Sequence, residues 1–382
     1  MRCKRCNNTD PAYFYKGSKG WYCRKCIRFK RVLIEEEMQP NQYPINDSDG
    51  EYQLGFKLTS KQKQLSDQCL DILINKGNVF LHCVCGSGKT EICLKAISHY
   101  LKLGKRVGFA IARREVVDEL QERMQKYFVR SKVIKVMGGF TKVLEGDLII
   151  LTTHQLYRYY QSFDLLILDE VDAFPFKGDD VLYNIALNSS KGQLIFSSAT
   201  IDDGLKKKLT KIKDLEYLYL YQRPHGHPLA EPKIVLLPKT AQYLFLLYLL
   251  GNIKRKTIVF VPTISDSIRL HKVFKHFIDC SYVNSKVIDR SNIISGFRNG
   301  KYKVLFSTTI LERGVTIENV AVIIFDASSR VYDKSSLIQM LGRVGRSARY
   351  PKGEAYILTS SLSRDIKEAT REIREANEKA GF

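Results

Sequence analysis

Short apolar runs recur along the chain, and each leads into glycine, acidic or hydroxyl residues. The runs at 78–84 (NVFLHCV), 163–169 (FDLLILD), 194–200 (LIFSSAT), 257–263 (TIVFVPT), 303–309 (KVLFSTT) and 320–326 (VAVIIFD) have the length and apolarity of strands buried on both faces. Other stretches carry apolar residues at helical spacing. The segment 91–104 (EICLKAISHYLKLG) reads as a helix. So does the tail at 364–382, where Ile366, Ala369, Ile373, Ala376 and Ala380 recur beneath a charged outer face. The eight residues 243–250 (YLFLLYLL) fall far short of the roughly twenty that span a bilayer, and are expected to form a buried helix. The second half repeats the architecture of the first, which predicts an α/β protein built in two copies.

Chemistry is expected where these strands end. The first run feeds CGSGKT (85–90) and then a helix, the context in which backbone N–H groups surround a phosphate. Gly86, Ser87 and Gly88 would line the loop, Lys89 would reach the β- and γ-phosphates of a nucleotide, and Thr90 would ligate Mg²⁺. The usual pattern begins with glycine where this chain has Cys83, a residue small enough to let the loop close. Alkylation of Cys83 and Cys85 at this loop is expected to block ATP binding.

The second run ends in DEVD. Asp169 is placed to hold the Mg²⁺ shell and Glu170 to orient or deprotonate an attacking water, although acids after a strand also serve as helix caps. Ser198 and Thr200, at the tip of the third run, suit a hydrogen-bonded link between nucleotide state and domain motion. In the second half TTILERGVTI places Thr308, Thr309 and Arg313, and QMLGRVGR presents Gln339, Arg343 and Arg346. Arginines remote in sequence from the phosphate loop suit a sensor of the γ-phosphate. Each piece alone has a bland reading; the ordered series does not.

Composition narrows the class. The 382 residues suffice for two mid-sized domains and a small module, and 44% hydrophobic residues support packed cores. The balance of 61 Lys+Arg against 40 Asp+Glu, a formal charge of +21, favours polyanionic partners, nucleic acid ahead of anionic membrane. The N-terminus, MRCKRC, has no apolar signal core, and free thiols fit a reducing, cytoplasmic compartment.

Cys3, Cys6, Cys23 and Cys26 form two C-x2-C pairs separated by sixteen residues. That spacing presents four thiolates to one tetrahedral Zn²⁺, although two disulfides would use the same residues. Too small to bury a core, the segment would owe its folding to the metal. Residues 1–34 hold ten Lys/Arg and one acid, Asp10, with Tyr13, Phe14, Tyr15, Trp21 and Tyr22 between the pairs. Those aromatics can stack on bases or can simply cover a zinc site. Cys69, Cys83, Cys85, Cys93 and Cys280 have no such pairing; strand and helix geometry is expected to scatter them as small buried hydrophobes. His225 and His227 sit among prolines in RPHGHPLAEPKIVLLP and read as connector residues. Tyr157, Tyr159 and Tyr160 could stack bases or pack a helix.

The series GSGKT, DEVD, SSAT, TTILERG and QxxGRxGR resembles the superfamily 2 helicases and translocases, DEAD-box-like proteins in which two RecA-like domains clamp ATP and Mg²⁺. The resemblance covers about residue 56 onward. It implies that LTSKQ (58–62) reads adenine through Gln62, with Ser60 where proline is usual, and that Gly314 joins the nucleotide site. It implies further that ARREVVDEL (112–120), MGG (137–139) and TTHQL (152–156) grip a nucleic-acid backbone. Arg113, Gly138, Thr153, His154, Gln155, Thr263, Thr308 and Thr309 are the contacts so implied. The four-cysteine segment, DEVDAFPF, RPHGHPL and SSLIQMLGRVGRS together are similar to the ComFA family, late-competence DNA-uptake ATPases of Gram-positive bacteria.

That resemblance implies an ATP-dependent single-stranded DNA translocase that imports transforming DNA. It implies a cytoplasmic protein at the inner face of the membrane, and as partners the membrane DNA channel, a late-competence phosphoribosyltransferase-like protein and further copies of itself. An unwinding helicase on DNA or RNA, of the replication-restart type for example, and a zinc-dependent DNA-binding scaffold are the alternatives. The expected order is a four-Cys zinc module (1–35), a linker (36–55), a RecA-like ATP-binding domain (56–222), a connector (223–238) and a second RecA-like domain (239–382). The abrupt start before Cys3 leads us to expect a further upstream segment in a longer form.

Overall fold

A computed structural model describes residues 1–40, 48–173, 176–312 and 317–382. Part of the expected linker (41–47) and the expected site residues Arg313 and Gly314 lie outside the described residues. The chain divides into two compact units. One comprises Met1–Cys83 with Gly88–Leu220, the other Val84–Ser87 with Tyr221–Phe382.

The first unit opens on a hairpin of β1 (Phe14–Gly17) and β2 (Gly20–Cys23), paired antiparallel. Its main sheet contains β3 (Asn78–Cys83), β4 (Val107–Ile111), β5 (Val133–Val136), β6 (Leu148–Thr152), β7 (Phe163–Asp169), β8 (Ser190–Ser198) and β9 (Leu215–Leu220). The order is β5-β6-β4-β7-β8-β3-β9, and every pairing is parallel. The sequences explain this. VGFAI and LIILT are buried at every position, as strands covered by helices on both faces must be. The covering helices are α1 (Ser60–Ile74), α2 (Lys89–Lys102), α3 (Arg114–Tyr127), α4 (Asp180–Ser189) and α5 (Asp203–Leu209). Helix α1 starts at a full capping box, with Thr59 accepting from Gln62 N and Gln62 reaching back to Thr59 N.

The N-terminal segment is built into this unit rather than tethered to it. Cys3, Cys6, Phe14, Cys23, Cys26 and Phe29 belong to the same core cluster as Leu156, Tyr159, Leu182 and Phe196. The described end of the expected linker also packs. Gln53 N donates to Tyr127 O at 3.0 Å, and the Tyr52 ring lies 5.6 Å from that of Phe128.

The second unit holds β10 (Lys233–Leu236), β11 (Lys256–Phe260), β12 (Cys280–Val283), β13 (Val304–Ser307), β14 (Val320–Ile324) and β15 (Ala355–Thr359), in the parallel order β10-β15-β14-β11-β13-β12. Helices α6 (Lys239–Asn252), α7 (Ile264–Phe274), α8 (Arg290–Arg298), α9 (Lys334–Leu341) and α10 (Arg364–Ala380) complete it. Both units are parallel-sheet α/β domains of the RecA-like kind. The end of the segment expected as a connector supplies β10, the edge strand of the second sheet.

One expectation is corrected. YLFLLYLL does form a helix, α6, but not a buried one. It buries Leu246, Leu249 and Leu250 against the sheet and leaves Leu244 74% and Tyr248 61% exposed. A helix lying on one face of a sheet is covered on one side only. Among the described residues, no helix is long and apolar enough to cross a membrane.

Candidate functional site

The strand order of the first unit places the expected chemistry on one sheet edge. In a parallel sheet all C-terminal ends face the same way, and ligands gather beyond them. Neighbouring strands β7, β8 and β3 deliver Asp169, Ser198 and the phosphate loop, respectively. In register, Asp169 lies opposite Ser197, and Ser197 lies opposite Leu81, two residues before the end of β3.

The loop then turns into α2, with Gly88 as its cap in the left-handed region (φ 83°). That conformation favours glycine, and a Cβ there would meet Gln62 Nε2, so the expected adenine reader sits against the loop. Gln62 is buried, while Lys89 and Thr90 are half-buried at the first turn of α2. Ser87 is buried and Gly86 is exposed.

Asp169 Oδ1 accepts from the Ser197 hydroxyl and from Glu170 N, the latter at 3.0 Å. Burial holds the Asp169 carboxyl above the usual carboxylate range; Lys89 opposes that shift and Glu170 adds to it. Thr90 and Asp169 fit a Mg²⁺ shell by chemistry, a hydroxyl in the first turn of α2 and a carboxylate at the end of β7. Glu170 has φ 56°, a strained conformation for a side-chain-bearing residue that turns the chain at the strand end. Behind it, the Thr200 hydroxyl donates to Asp172 Oδ2 at 2.6 Å, and Thr200 N donates to Ser198 Oγ at 3.1 Å. The hydroxyls after β8 are thus wired to the acidic turn after β7.

The other half of the same edge, β5-β6-β4, carries the expected nucleic-acid contacts. Gly138 is exposed in the turn after β5, Thr153–Arg158 forms a 3-10 turn after β6, and Arg113 caps α3 after β4. Three details change the expectation. Thr153 is fully buried, so its hydroxyl does not face a strand laid on this edge. Gln155 Oε1 accepts from Arg158 Nε at 2.6 Å. Of the tyrosines, Tyr159 is fully buried, donating to Leu144 O at 3.0 Å, and Tyr157 packs on Phe29; neither is free to stack on bases.

The second unit places Thr263 and Thr308 at the ends of adjacent strands, β11 and β13. Thr263 caps α7, accepting from Asp266 N at 3.0 Å; Thr309 begins a 3-10 turn. Arg343 is buried and Arg346 half-buried, its Nε donating to Gly342 O at 3.0 Å.

A residue that sequence reasoning passed over organises this segment. Arg223, 2% exposed, donates to Gly342 O (2.9 Å), Val344 O (2.6 Å), Gly345 O (2.8 Å) and, within the same unit, Cys85 O (2.9 Å). Burial and the nearby Arg346 depress its pKa to about 10. The His225 ring meets Gly345 O at 2.9 Å, within the same unit. An arginine between Gln222 and Pro224 gave no sequence signal, because its partners are backbone carbonyls.

The cysteines fall into three groups. The sulfurs of Cys3, Cys6, Cys23 and Cys26 all lie within 4.8 Å of one another, with Cys3–Cys26 at 3.7 Å and Cys6–Cys23 at 3.8 Å. A tetrahedral site with Zn–S near 2.3 Å needs sulfur–sulfur edges of about 3.8 Å, so these residues fit zinc. Arg5, buried beside them, donates to Phe29 O and Lys30 O. The other five are buried, as expected, although Cys69, Cys83 and Cys93 are less scattered than strand and helix geometry suggests. They meet in one core, where burial pushes the Cys69 thiol up to about 12 and Cys93 well above its ordinary value. Cys83 ends β3 and is not a loop residue. Cys85, 5% exposed, donates to Gln339 Oε1 at 3.1 Å. Neither thiol lies at the surface, so selective alkylation of the folded loop is not expected after all.

Known proteins resemble the chain in sequence and in fold. Residues 55–203 match the family described as type III restriction enzyme, res subunit, and residues 240–348 match the helicase conserved C-terminal domain. The chain is 35% identical to competence protein ComFA of Streptococcus pneumoniae, over all of this chain and 91% of that protein. It is 32% identical to competence protein ComFA of Bacillus subtilis, over 99% and 86%. Among solved structures, S. cerevisiae Dbp5 bound to RNA and ADP BeF3 superposes with a TM-score of 0.63 at 20% identity, over 84% of this chain and 92% of that one. RecG bound to a three-way DNA junction gives 0.60 at 18%, over 84% and 45%. At such identities the structures speak for the fold alone.

Proposed function

Because the chain belongs to the ComFA family of competence proteins, with the domains of a superfamily 2 helicase-like ATPase, we propose that it is an ATP-driven translocase on single-stranded DNA that draws in transforming DNA. The observation that carries this reading is the division of one sheet edge: phosphate loop and carboxylates beyond β7-β8-β3, nucleic-acid candidates beyond β5-β6-β4.

In this reading Gln62 holds adenine, the loop amides and Lys89 hold the phosphates, and Thr90 and Asp169 hold Mg²⁺, which would offset charge on the phosphates. Glu170 orients the attacking water and takes its proton. Arg343 and Arg346 are the proposed sensors of the γ-phosphate, carried by the second unit. The Thr200–Asp172 bond would pass the nucleotide state from the carboxylates to the tip of β8. Single-stranded DNA would lie on Arg113, Gly138, His154 and Gln155, and on Thr263, Thr308 and Thr309. Cys3, Cys6, Cys23 and Cys26 would hold Zn²⁺ as a structural ion. The membrane DNA channel and the phosphoribosyltransferase-like competence protein are the proposed partners.

Steady-state ATP hydrolysis with and without single-stranded DNA, at two salt concentrations, tests the proposal. Stimulation that weakens at high salt is expected. No stimulation at low salt, or stronger stimulation by RNA or forked duplex, would overturn it.

A further inference from the structure

The four-cysteine segment carries the most one-sided charge in the chain, ten Lys/Arg against Asp10 within residues 1–34. The structure sorts its aromatic residues into two sets. Phe14 and Phe29 are buried in one core with the sulfur cluster and Tyr22 is buried next to Cys23, whereas Tyr13 and Tyr15 are 41% and 52% exposed. Each exposed ring carries a cation. Lys25 Nζ lies 5.0 Å from the Tyr13 ring centre, and Arg24 Cζ lies 5.8 Å from that of Tyr15. Tyr13 is held in place by its neighbours: Asp10 caps its 3-10 turn and Arg24 N donates to Tyr13 O at 2.7 Å. The inner set packs the sulfur cluster, and the Tyr15 ring meets Tyr22 edge-on with ring centres 5.7 Å apart, which fixes its orientation while about half of it stays exposed.

The segment that carries these rings is fixed to the nucleic-acid half of the first unit through its other residues. The Phe29 ring lies 6.4 Å from His154 and 5.8 Å from Tyr157, both in the 3-10 turn after β6, and Arg5 lies over Tyr157. Helix α4 is gripped at both ends. Arg28 pairs with Asp179, its N-terminal cap, and Asn188 in its last turn donates to Lys4 O (3.0 Å) and Arg5 O (2.9 Å). The segment and the turn therefore belong to one packed body.

We propose that the face formed by Tyr13 with Lys25 and Tyr15 with Arg24 is a second binding site for single-stranded DNA, continuing the track of the β5-β6-β4 edge through the His154 turn. The proposal rests on the translocase reading above. The two cations neutralise phosphates and the two rings stack on unpaired bases, a mode that tolerates any sequence. An anionic membrane would also attract exposed cations and tyrosines, but the attachment to the His154 turn favours nucleic acid.

The test uses the zinc-loaded full chain and a fluorescently labelled oligothymidylate long enough to cross both sites, read by anisotropy over a range of salt. The pair Tyr13→Ala/Tyr15→Ala is expected to weaken binding about tenfold. The pair Arg24→Gln/Lys25→Gln is expected to weaken it similarly and to flatten the log–log salt slope by about 1.4, at about 0.7 per cation. Zinc content, melting temperature and DNA-free ATPase activity should match the wild type. Wild-type affinity and salt slope in both pairs would overturn the proposal. So would unchanged DNA affinity with lost binding to phosphatidylserine vesicles, in favour of a membrane site. A wild-type chain that neither binds the oligonucleotide nor is stimulated by it would overturn the translocase reading itself, and this site with it.

Discussion

Thr200 donates its hydroxyl to the buried carboxylate of Asp172 at 2.6 Å, joining the tip of β8 to the turn that carries Asp169 and Glu170. Removing that donor should uncouple the two strand ends without touching the phosphate loop. Thr200→Val keeps the shape and leaves Asp172 one donor short, a loss of about 1–3 kcal/mol in stability. ATP affinity is expected to stay within about twofold, while stimulation of hydrolysis by single-stranded DNA falls by about tenfold or more. Nucleotide binding and stimulated turnover, measured on the same preparation, check both halves.

Arg223 spends its guanidinium on four carbonyls, three of them at Gly342, Val344 and Gly345 around Arg343. Lysine has neither the planar fork nor enough donors to replace it. Arg223→Lys is expected to lower kcat at least tenfold with little change in KM, because Arg343 and Arg346 lose their setting rather than their charge. If Arg223 acts through them, Arg223→Lys on top of Arg346→Ala should add almost nothing. Additive losses in that double-mutant cycle would reduce Arg223 to a packing residue.

The contrast between these two residues shows how much could be read ahead of the fold. Strands such as LIFSSAT and VAVIIFD announce themselves because a strand covered on both faces must be apolar throughout, and the chemistry follows at their ends. Thr200 was legible for that reason, although its partner Asp172 was not. Arg223 was invisible: hydrogen bonds to backbone carbonyls leave no pattern in side-chain types. The outward face of α6 and the meeting of Cys69, Cys83 and Cys93 were missed for a related reason. Apolar composition tells that a segment packs, and only topology tells which side of it does. The cysteine cluster of the N-terminal segment was legible through spacing alone, yet the segment's docking on the His154 turn and on α4 depends on single contacts such as Phe29 and Asn188.

That docking should respond to pH. Burial and the neighbouring Arg28 hold His154 below its ordinary pKa, with Asp179 opposing. The folded chain therefore resists protonation of His154 more than the unfolded chain does. The stabilisation is complete above the unfolded value of about 6.5 and is lost as pH falls from there through the depressed folded pKa. His154→Gln removes the titration. The drop in melting temperature between pH 7.5 and pH 5.5, conditions chosen about one unit either side of 6.5, should be smaller in the variant than in the wild type. Thiolate protonation is common to both and cancels in the comparison.

Metal removal reaches further than the N-terminal segment. Cys3, Cys6, Cys23 and Cys26 share a core with Leu156, Tyr159 and Leu182, and Asn188 ties α4 to the backbone of Lys4 and Arg5. Without a tetrahedral ion, four buried thiols in van der Waals reach of one another have nothing to organise them, and a segment this small cannot hold itself by apolar burial alone. Chelation, or Cys23→Ser, is expected to release about one Zn²⁺ per chain and to expose the His154 turn and α4 to hydrogen exchange. The phosphate loop is held by Arg223 and Gln339 at Cys85 and leads into α2 at Gly88, contacts that do not involve this segment, so ATP binding and DNA-free hydrolysis should survive while stimulation by single-stranded DNA declines severalfold. Hydrogen exchange resolved by peptide separates the outcomes. Faster exchange confined to residues 1–35 would mean that the segment is an appendage, and exchange spreading into 153–158 and 180–189 would mean that it braces the nucleic-acid edge.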